Sequence, residues 1–385
     1  MLPPELPDNT GLTLHLRTVR DVREDAAFCA EWESLVDRTH HLNLLYGARL
    51  WFEHLSAVEP GTYHVLEARD GDLLAAGAVR TQAFDLKFDV FNRVLFQSRL
   101  QVASLFGFDA IPLAAPAQYG ACFEMLLNAL PDCDALQLGT VATDSPLFTY
   151  LSREGRHSRE FSIYLPYSIR PWHSIELPSD FDAYIQPMGK KARYNLRRDV
   201  RRLAEKLGSM KLTRVTEECD VQAWLSQAAT VSAKTWQNQI LGPRVRDTPA
   251  MLHKFADLAR RRILRAYVLG SEDRPFAFVV GCQFNGVFHY EETGYDPEYS
   301  EFSPGTVHLF LILEDLFQFD KPRFVNFGIG DAAYKRRFGN VEKADVAVLI
   351  LRKNFTNRLR AAGHQAFQTG LRLVKRLVRR GSATV

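Results

Sequence analysis

The sequence predicts a mixed α/β fold (an α+β mixed sheet) arranged as two tandem domains that share one architecture. Its 385 residues exceed the roughly 250 to 300 that a single hydrophobic core supports, so we expect two cores. Two helices, a strand hairpin, another helix and a strand are predicted in that order in each half. Hydrophobic residues make up 46% and charged residues 24%, which excludes a mainly disordered, collagen-like or coiled-coil chain.

Residues 11–170 are predicted to form the first domain. Apolar residues at helical spacing predict three helices, and two apolar runs around Asp70-Gly71-Asp72 predict a hairpin. The stretch that contains Phe84, Phe88 and Phe96 is predicted to be rich in loops. The helices are predicted over residues 25–37, 43–58 and 119–130, and a strand over residues 135–139.

A basic amphipathic helix is predicted over residues 190–207, within a linker over residues 171–208. Only two acidic residues, Asp199 and Glu205, accompany its many cations. One interpretation is a solvated face that joins two domains; the other is a site for an anionic substrate, a phosphate or a lipid surface. The cations are Lys190, Lys191, Arg193, Arg197, Arg198, Arg201, Arg202 and Lys206.

The second domain is predicted over residues 209–354, and a basic amphipathic tail over residues 355–385. In the tail, Phe367, Leu371 and Val374 share a stripe beside several arginines. This pattern is typical of a capping surface helix, or of peripheral contact with an anionic membrane surface or a membrane-bound partner.

Composition narrows the class of protein. A net charge of +3 does not call for a nucleic-acid partner, and we expect no DNA partner. The five cysteines lie far apart without a C-x-x-C pair, so neither a disulfide framework nor a metal site is expected. The first ten residues lack a secretory pattern and no apolar run is long enough to span a bilayer. We expect a cytoplasmic protein, at most peripheral to the inner face of the membrane.

Two motifs in the second domain are suited to ligand binding. The first, GYDPEYSEFSPG at residues 294–305, runs from a strand into a helix. Ser303 is predicted to cap that helix, Pro304 suits its first turn, and Gly305 permits close approach of a ligand. Free backbone N–H groups at such a start can hold an anion, although the same residues also begin ordinary helices.

The second motif, FGIGDAAYKRRFG at residues 327–339, follows a strand and opens a short helix. Its glycines allow a ligand or a neighbouring strand to pass closely. Tyr334 could supply a proton to a leaving group.

With these motifs, residues 224–354 resemble the GNAT superfamily, specifically its CelD-like branch, which is related to the tandem Fem-type aminoacyltransferases. The resemblance implies an acyl group along residues 289–293 and a coenzyme A pyrophosphate at the helix start. The chain departs from the usual R/Q-x-x-G-x-G/A loop with S-P-G-T. It further implies that Tyr334 protonates the departing thiolate and that Lys335 and Arg336 pair with phosphate or substrate charge. The implied pyrophosphate-binding residues are Ser303, Pro304, Gly305 and Thr306.

Several residues remain candidates for the base and for the acceptor site. Strand alternation puts His289, Glu291 and Thr293 on one face, and Tyr290 and Glu292 on the other, so a His/Glu or a Tyr/Glu set could face the cleft. Asp331 is expected to orient Tyr334 or Lys335, or to cap the helix. The residues expected to bind the acceptor are Tyr290, Tyr295, Trp236, Arg193 and Arg197.

The sequence therefore predicts an acyl-CoA-dependent N- or O-acyltransferase that uses acetyl-CoA or a longer acyl-CoA and no metal. Its expected acceptor is a small molecule, a sugar or a precursor of polysaccharide or cell-envelope biosynthesis. Two alternatives stay open. One is a Fem-type transferase that uses aminoacyl-tRNA, and the other is a non-catalytic accessory protein of a membrane polysaccharide assembly.

Overall fold

The structure is a computed structural model that describes residues 11–90, 93–110, 116–235, 238, 242, 244–271 and 274–381. The chain divides into two units. Unit 1 combines Met1–Arg170 with Lys343–Val385, and unit 2 is Pro171–Glu342.

Unit 1 contains a helical start, a long strand meander and a C-terminal helix. Asp25 begins its second helix by accepting a hydrogen bond from the Phe28 N–H at 2.9 Å. Its helices are α1 (Val19–Glu24), α2 (Ala26–Asp37), α3 (Leu44–Gly47), α4 (Arg49–Val58), α5 (Pro116–Ala129), α6 (Pro146–Ser152) and α13 (Phe355–Gly381). Its strands are β1 (Thr13–Thr18), β2 (Thr62–Asp70), β3 (Asp72–Val90), β4 (Arg93–Leu105), β5 (Ala135–Ala142), β6 (Phe161–Tyr164) and β13 (Val341–Arg352).

The sheet of unit 1 has the order β1-β2-β3-β4-β5-β13, and β6 also pairs with β13. Its neighbouring strands are antiparallel, except for β4 and β5, which are parallel and joined through α5. The core lies on α2, α4 and α5 and on the strands beneath them, with Trp32, Phe52 and Phe123 fully buried.

Unit 2 contains the basic helix and the second meander. Thr248 begins one of its helices by accepting a hydrogen bond from the Met251 N–H at 3.3 Å, with Pro249 in the first turn. Its helices are α7 (Phe181–Ile185), α8 (Gly189–Leu207), α9 (Glu218–Lys234), α10 (Pro249–Arg260), α11 (Pro304–Gln318) and α12 (Ala333–Phe338). Its strands are β7 (Arg170–Glu176), β8 (Lys211–Val215), β9 (Leu264–Gly270), β10 (Pro275–Phe284), β11 (Val287–Tyr295) and β12 (Phe324–Ile329).

The sheet of unit 2 has the order β7-β12-β11-β10-β9-β8. Its neighbours are antiparallel, except for β11 and β12, which are parallel and joined through α11. Helix α11 is apolar nearly all round because it packs on this sheet, and its Val307, Ile312 and Leu313 are fully buried. The βαβ unit β11-α11-β12 positions the candidate site.

Two features differ from the prediction. The stretch around Phe84, Phe88 and Phe96 is a long hairpin of β3 and β4 rather than loops, because alternate residues such as Leu86 and Leu100 are buried. The predicted boundaries 171–208 and 209–354 also differ from the units. Helix α8 lies within unit 2, where Leu196 and Leu203 are buried in the core, and β13 pairs with β5 of unit 1.

The C-terminal helix α13 packs on unit 1 through part of the predicted stripe. Phe367 lies 5.3 Å from the Phe88 ring, whereas Leu373 and Val374 are exposed. Within the described residues, no helix has the length and hydropathy that a membrane span requires. The peripheral membrane contact of this helix stays a prediction.

Candidate active site

The strands β11 and β12 run together for only three residue pairs and then separate. Their parallel pairing ends at His289 and Asn326, although β11 continues to Tyr295 and β12 to Ile329. We call the region beyond the pairing the splayed end; it comprises residues 290–295, residues 327–330 and the start of α11. Backbone groups that face a parted sheet need other hydrogen-bond partners, so such a cleft is suited to an extended amide-bearing ligand.

Asn326 shapes the β12 side of the splayed end. Its side-chain oxygen accepts hydrogen bonds from the Gly328 N–H at 2.8 Å and from the Trp172 indole N–H. Gly328 has a φ of +66°, which an L side chain rarely adopts. The amide therefore holds the chain in a left-handed turn where the pairing stops.

A β-bulge shapes the β11 side. Gly281 of β10 pairs with Tyr290, and the next pair is Val280 with Glu292, so Glu291 is the extra residue. A Cβ at Gly281 would lie 1.8 Å from the His289 carbonyl oxygen, so the bulge requires glycine here.

The bulge changes the predicted alternation of β11. The Tyr290 hydroxyl donates to the Thr293 hydroxyl at 3.1 Å, which places these two side chains together. The prediction that Thr293 shares a face with His289 and Glu291 was therefore wrong, because the extra residue resets the alternation.

Tyr334 lies at the splayed end beside two other aromatic residues. Its ring centroid is 5.7 Å from that of Phe327 and 6.2 Å from that of Tyr290. Burial, and secondarily the negative charge of Glu292, raises the pKa of Tyr334 to about 12. The phenol therefore stays protonated at neutral pH and can donate a hydrogen bond to a developing anion.

The three candidate bases are in different environments. Glu292 is half-buried and paired with Arg244, whose Nε lies 3.1 Å from Oε2. Glu291 is exposed at the bulge. His289 is 2% exposed and burial lowers its pKa to about 3, so a substrate cannot reach it. This burial contradicts the prediction of His289 as a base, because β11 is covered on both faces at that position.

The start of α11 combines Ser303, which has a strained backbone, with a Gly305 N–H that no described backbone carbonyl accepts from. Ser303 has a φ of +53°, and its carbonyl accepts from the N–H groups of Thr306 at 2.9 Å and Val307 at 3.1 Å. Its side chain makes no capping bond, so the predicted cap was wrong: the left-handed backbone uses the carbonyl instead. Within the described chain, no backbone carbonyl accepts from the Gly305 N–H.

Pro304 and Tyr295 define the surroundings of that donor. Pro304 is buried in the first turn of α11, as predicted from its missing N–H. A Cβ at Gly305 would lie 3.3 Å from the Tyr295 ring. Because glycine has no Cβ, a small space beside its backbone stays open. This arrangement is able to hold an anion through the backbone and the helix dipole.

Lys335, which follows Tyr334, does not have the predicted role. The Lys335 ammonium is buried and donates to the carbonyl oxygens of Phe327 at 2.7 Å, Ile329 at 2.8 Å and Gly328 at 3.3 Å. Burial lowers its pKa to about 8. Lys335 thus holds the end of β12 in place and is not directed at a ligand phosphate, because three carbonyls there need a donor.

Asp331 and Arg336 form an ion pair with each other at the surface. Asp331 therefore does not orient Tyr334 or Lys335 as predicted, and no capping bond from it begins α12. Arg336 is exposed by 55%, and its guanidinium could still contact an anion on its free side.

Part of unit 2 matches a known family model. Residues 190–336 match the family model described as "Acetyltransferase (GNAT) domain". This segment forms a GNAT acetyltransferase domain. The matched range includes residues 190–207 of α8 and the whole β11-α11-β12 unit.

Several solved structures of low sequence identity have a similar fold. FemX is 10% identical with a TM-score of 0.57, covering 86% of this chain and 97% of its own. A protein of unknown function from Bacteroides thetaiotaomicron is 9% identical with a TM-score of 0.51, covering 84% and 97%. The C-terminal domain of a putative lysylphosphatidylglycerol synthetase from Agrobacterium fabrum is 12% identical with a TM-score of 0.50, covering 88% and 95%. No curated protein matches the sequence.

The predicted acceptor residues of the GNAT domain lie in different places. Tyr290 is buried at the splayed end, and the Tyr295 ring lies against Gly305. Arg193 and Arg197 are on α8, where Arg193 donates to the Gln186 carbonyl at 2.7 Å. Trp236 lies outside the described residues. Among the described residues, no three His, Cys, Asp or Glu side chains form a group that could hold a metal ion.

Sequence reasoning missed Gly281, Asn326 and Trp172. A glycine inside a predicted strand is a signal for a bulge, so Gly281 could have been found. Asn326 and Trp172 had no such signal, because their contact joins β12 to a strand 154 residues earlier.

The equivalent end of unit 1 is filled by its own residues. Strands β4 and β5 are parallel as far as Leu105 and Leu138. Beyond them the Asn43 amide donates to Asp109 at 3.1 Å and to Thr140 at 3.3 Å, and a Cβ at Gly107 would lie 2.1 Å from the Gly47 nitrogen. Among the described residues, the open end between two parted parallel strands therefore lies in unit 2.

Proposed function

We propose that unit 2 transfers an acyl group from acetyl-CoA or a longer acyl-CoA to an amine or hydroxyl of a small-molecule or saccharide acceptor. The observation that carries this proposal is the parting of β11 and β12 beside a protonated phenol and a helix start with a free N–H. A sugar or a precursor of polysaccharide or cell-envelope biosynthesis fits such an acceptor, because these molecules supply amines and hydroxyls.

Donor binding follows from the two sides of the cleft. The start of α11 holds the donor's pyrophosphate through the Gly305 N–H and the helix dipole. The parted edges of β11 and β12 offer backbone groups to the amides of the pantetheine arm. The rings of Tyr290, Phe327 and Tyr334 bound this cleft and limit the access of water.

Tyr334 is assigned the role of acid. When the acceptor attacks the thioester carbonyl, the new C–N or C–O bond replaces the C–S bond and the sulfur leaves as a thiolate. The phenol donates its hydrogen bond to that sulfur and then its proton. A phenol with a pKa of about 12 gives up a proton only to a strong base, so the sulfur must be desolvated in the same cleft.

Glu292 is the assigned base, because its charge influences Tyr334 and so lies near the reacting atoms. It accepts the acceptor's proton directly or through one water. Its partner Arg244 is exposed by 48%, so the ion pair can open toward solvent when an acceptor binds. Glu291, exposed at the bulge, is the alternative base.

Titration with acetyl-CoA and longer thioesters tests the donor site. Gly305→Ala is expected to bind with a few-fold change, because the added Cβ meets Tyr295 at 3.3 Å. Gly305→Glu should abolish binding, because it fills the site and adds a negative charge. Gly363→Glu, a position with nothing within 4 Å of its Cβ, is the matched control and should bind normally. Absence of binding to every thioester in the wild type would refute the proposal.

A further inference from the structure

A groove of about 660 Å³ lies between α8 and α11 in unit 2. Four of its lining residues are cations and one is a carboxylate. The volume falls within the range of roughly 300 to 1,000 Å³ that small-ligand sites occupy. The lining residues are Lys190, Arg193, Tyr194, Arg197, Val200, Arg201, Phe310 and Glu314.

The cations form one continuous stripe along α8. Lys190, Arg193, Arg197 and Arg201 are three or four residues apart, so they share a helix face and extend over about 16 Å. Among the described residues, no carboxylate lies within 4.0 Å of a cationic nitrogen of Lys190, Arg197 or Arg201. These charges are available to an anion, and several neighbouring guanidinium groups can together bind the two phosphates of a diphosphate.

The groove also has an aromatic face and an apolar floor. Tyr194 lies between Arg193 and Arg197 in sequence and is 60% exposed. Val200 and Phe310 belong to the apolar core beneath it. An exposed ring beside guanidinium groups is suited to stacking a nucleobase.

Glu314 supplies a hydrogen-bond acceptor to the groove. The carboxylate is half-buried, and burial raises its pKa while Arg197 opposes that shift. A carboxylate at this place can accept hydrogen bonds from the hydroxyls of a ribose or from the amino group of a base.

We propose that the α8–α11 groove is a binding site for a nucleoside diphosphate, with the phosphates on the α8 cations and the base on Tyr194. A single exposed ring in a short groove suits one nucleotide. A nucleic-acid strand needs a longer track, and single-strand sites hold roughly 4 to 16 nucleotides with several stacking rings.

Two sources supply this chemistry: the diphosphate of a nucleotide-linked sugar that acts as acceptor, and the nucleotide of coenzyme A. The groove begins about 8 Å along α11 from Gly305, measured by helix rise to Phe310, so either molecule could bridge to the splayed end. Which source applies rests on the proposed function; nucleotide binding in the groove does not.

Calorimetric titration of the full chain with UDP and with ADP tests the site. Both are expected to bind saturably. Arg197→Gln with Arg201→Gln should weaken binding about tenfold or more through lost charge-assisted bonds. Tyr194→Ala should weaken it at least about fivefold through lost stacking. Melting temperatures within about 2 °C of the wild type confirm that each surface variant folds.

Arg198→Gln is the matched control. It removes the same charge from the same helix, but Arg198 pairs with Asp199 and does not line the groove. The single variant Arg197→Gln should weaken binding more than Arg198→Gln does. Equal weakening by these two single variants would mean general electrostatic attraction and would overturn the proposal. So would the absence of nucleotide binding, or tight binding of a 20-residue polyuridine strand alone.

Competition identifies the source. If coenzyme A displaces UDP, the groove holds the donor's nucleotide; if both bind at once, it holds the nucleotide of the acceptor. Either result supports the site. The variant Gly305→Glu separates the two proposals, since it should lose acetyl-CoA and keep UDP.

Discussion

Replacing Gly281 with alanine tests the β-bulge that shapes the parted strands. The added methyl carbon would lie 1.8 Å from the His289 carbonyl oxygen and 3.1 Å from the Phe288 ring. An ordinary contact is at least 3.4 Å, so the two strands must move apart by 1.6 Å (3.4 − 1.8) at this point. Both obstacles belong to buried strand β11 and neither can swing away.

The expected loss of stability follows from that displacement. Separation at the bulge breaks about two ladder hydrogen bonds at about 1 kcal/mol each. Overpacking adds about 1 to 3 kcal/mol. The total of about 3 to 5 kcal/mol corresponds to a melting temperature lowered by roughly 6 to 20 °C for a domain of this size.

Differential scanning calorimetry of Gly281→Ala measures this loss, and Gly139→Ala is the control. Gly139 is also in a strand, and nothing lies within 4 Å of its added Cβ, so its substitution should change stability by less than about 0.5 kcal/mol. Acetyl-CoA binding should fall only in Gly281→Ala. Equal melting temperatures for the two variants would refute the reasoning.

Three further predictions address single side chains. Tyr334→Phe should lower kcat by about 10²- to 10⁴-fold with a small change in KM. The ratio of the wild-type rate to the variant rate should stay constant between about pH 6 and about pH 10, because the phenol is protonated throughout. A ratio that changes with pH would contradict the role of Tyr334 as acid. Lys335→Met should lower the free energy of unfolding, measured in urea, by about 1 to 3 kcal/mol, since three carbonyls lose their hydrogen-bond donor. Unchanged unfolding together with weaker acyl-CoA binding would instead support the phosphate-binding role that the resemblance implied. Burial raises the pKa of Asp345 to about 6, so the folded state keeps a proton that the unfolded state releases, and stability should fall as pH rises from about 4 to about 6. Asp345→Asn should reduce that slope and unfold later than the wild type at pH 7 in urea. Asp109, whose pKa burial raises to about 7, should contribute the remaining slope; an unchanged slope in Asp345→Asn would contradict the role of Asp345.

The parts of the site that were predictable are those encoded locally. Pro304 lacks a backbone N–H and Gly305 lacks a side chain, which suits both residues to a helix start. Tyr334 follows a strand, at a place that matches the tyrosine of the resembled family. The family model that matches residues 190–336 confirms the resemblance to the GNAT superfamily. The roles of these residues in donor binding stay predictions.

The parts that were not predictable depend on contacts between distant segments. Strict alternation of β11 failed because an extra residue, Glu291, is accommodated opposite Gly281 on another strand. The family resemblance implied that Lys335 pairs with phosphate, yet its ammonium donates to the carbonyls at the end of β12. His289 looked accessible until both faces of its strand were covered.

The sequence alone determined the mixed α/β class, the repeated order of elements, the two ligand motifs and the basic helix, because helix starts, glycine turns and apolar periodicity are local properties. Tertiary structure decided which candidates can act. It buried His289 and Lys335, paired Glu292 with Arg244, returned β13 to unit 1 and opened the groove between α8 and α11. Burial and pairing are properties of chain segments that meet only in the folded molecule, so no local pattern could have predicted them.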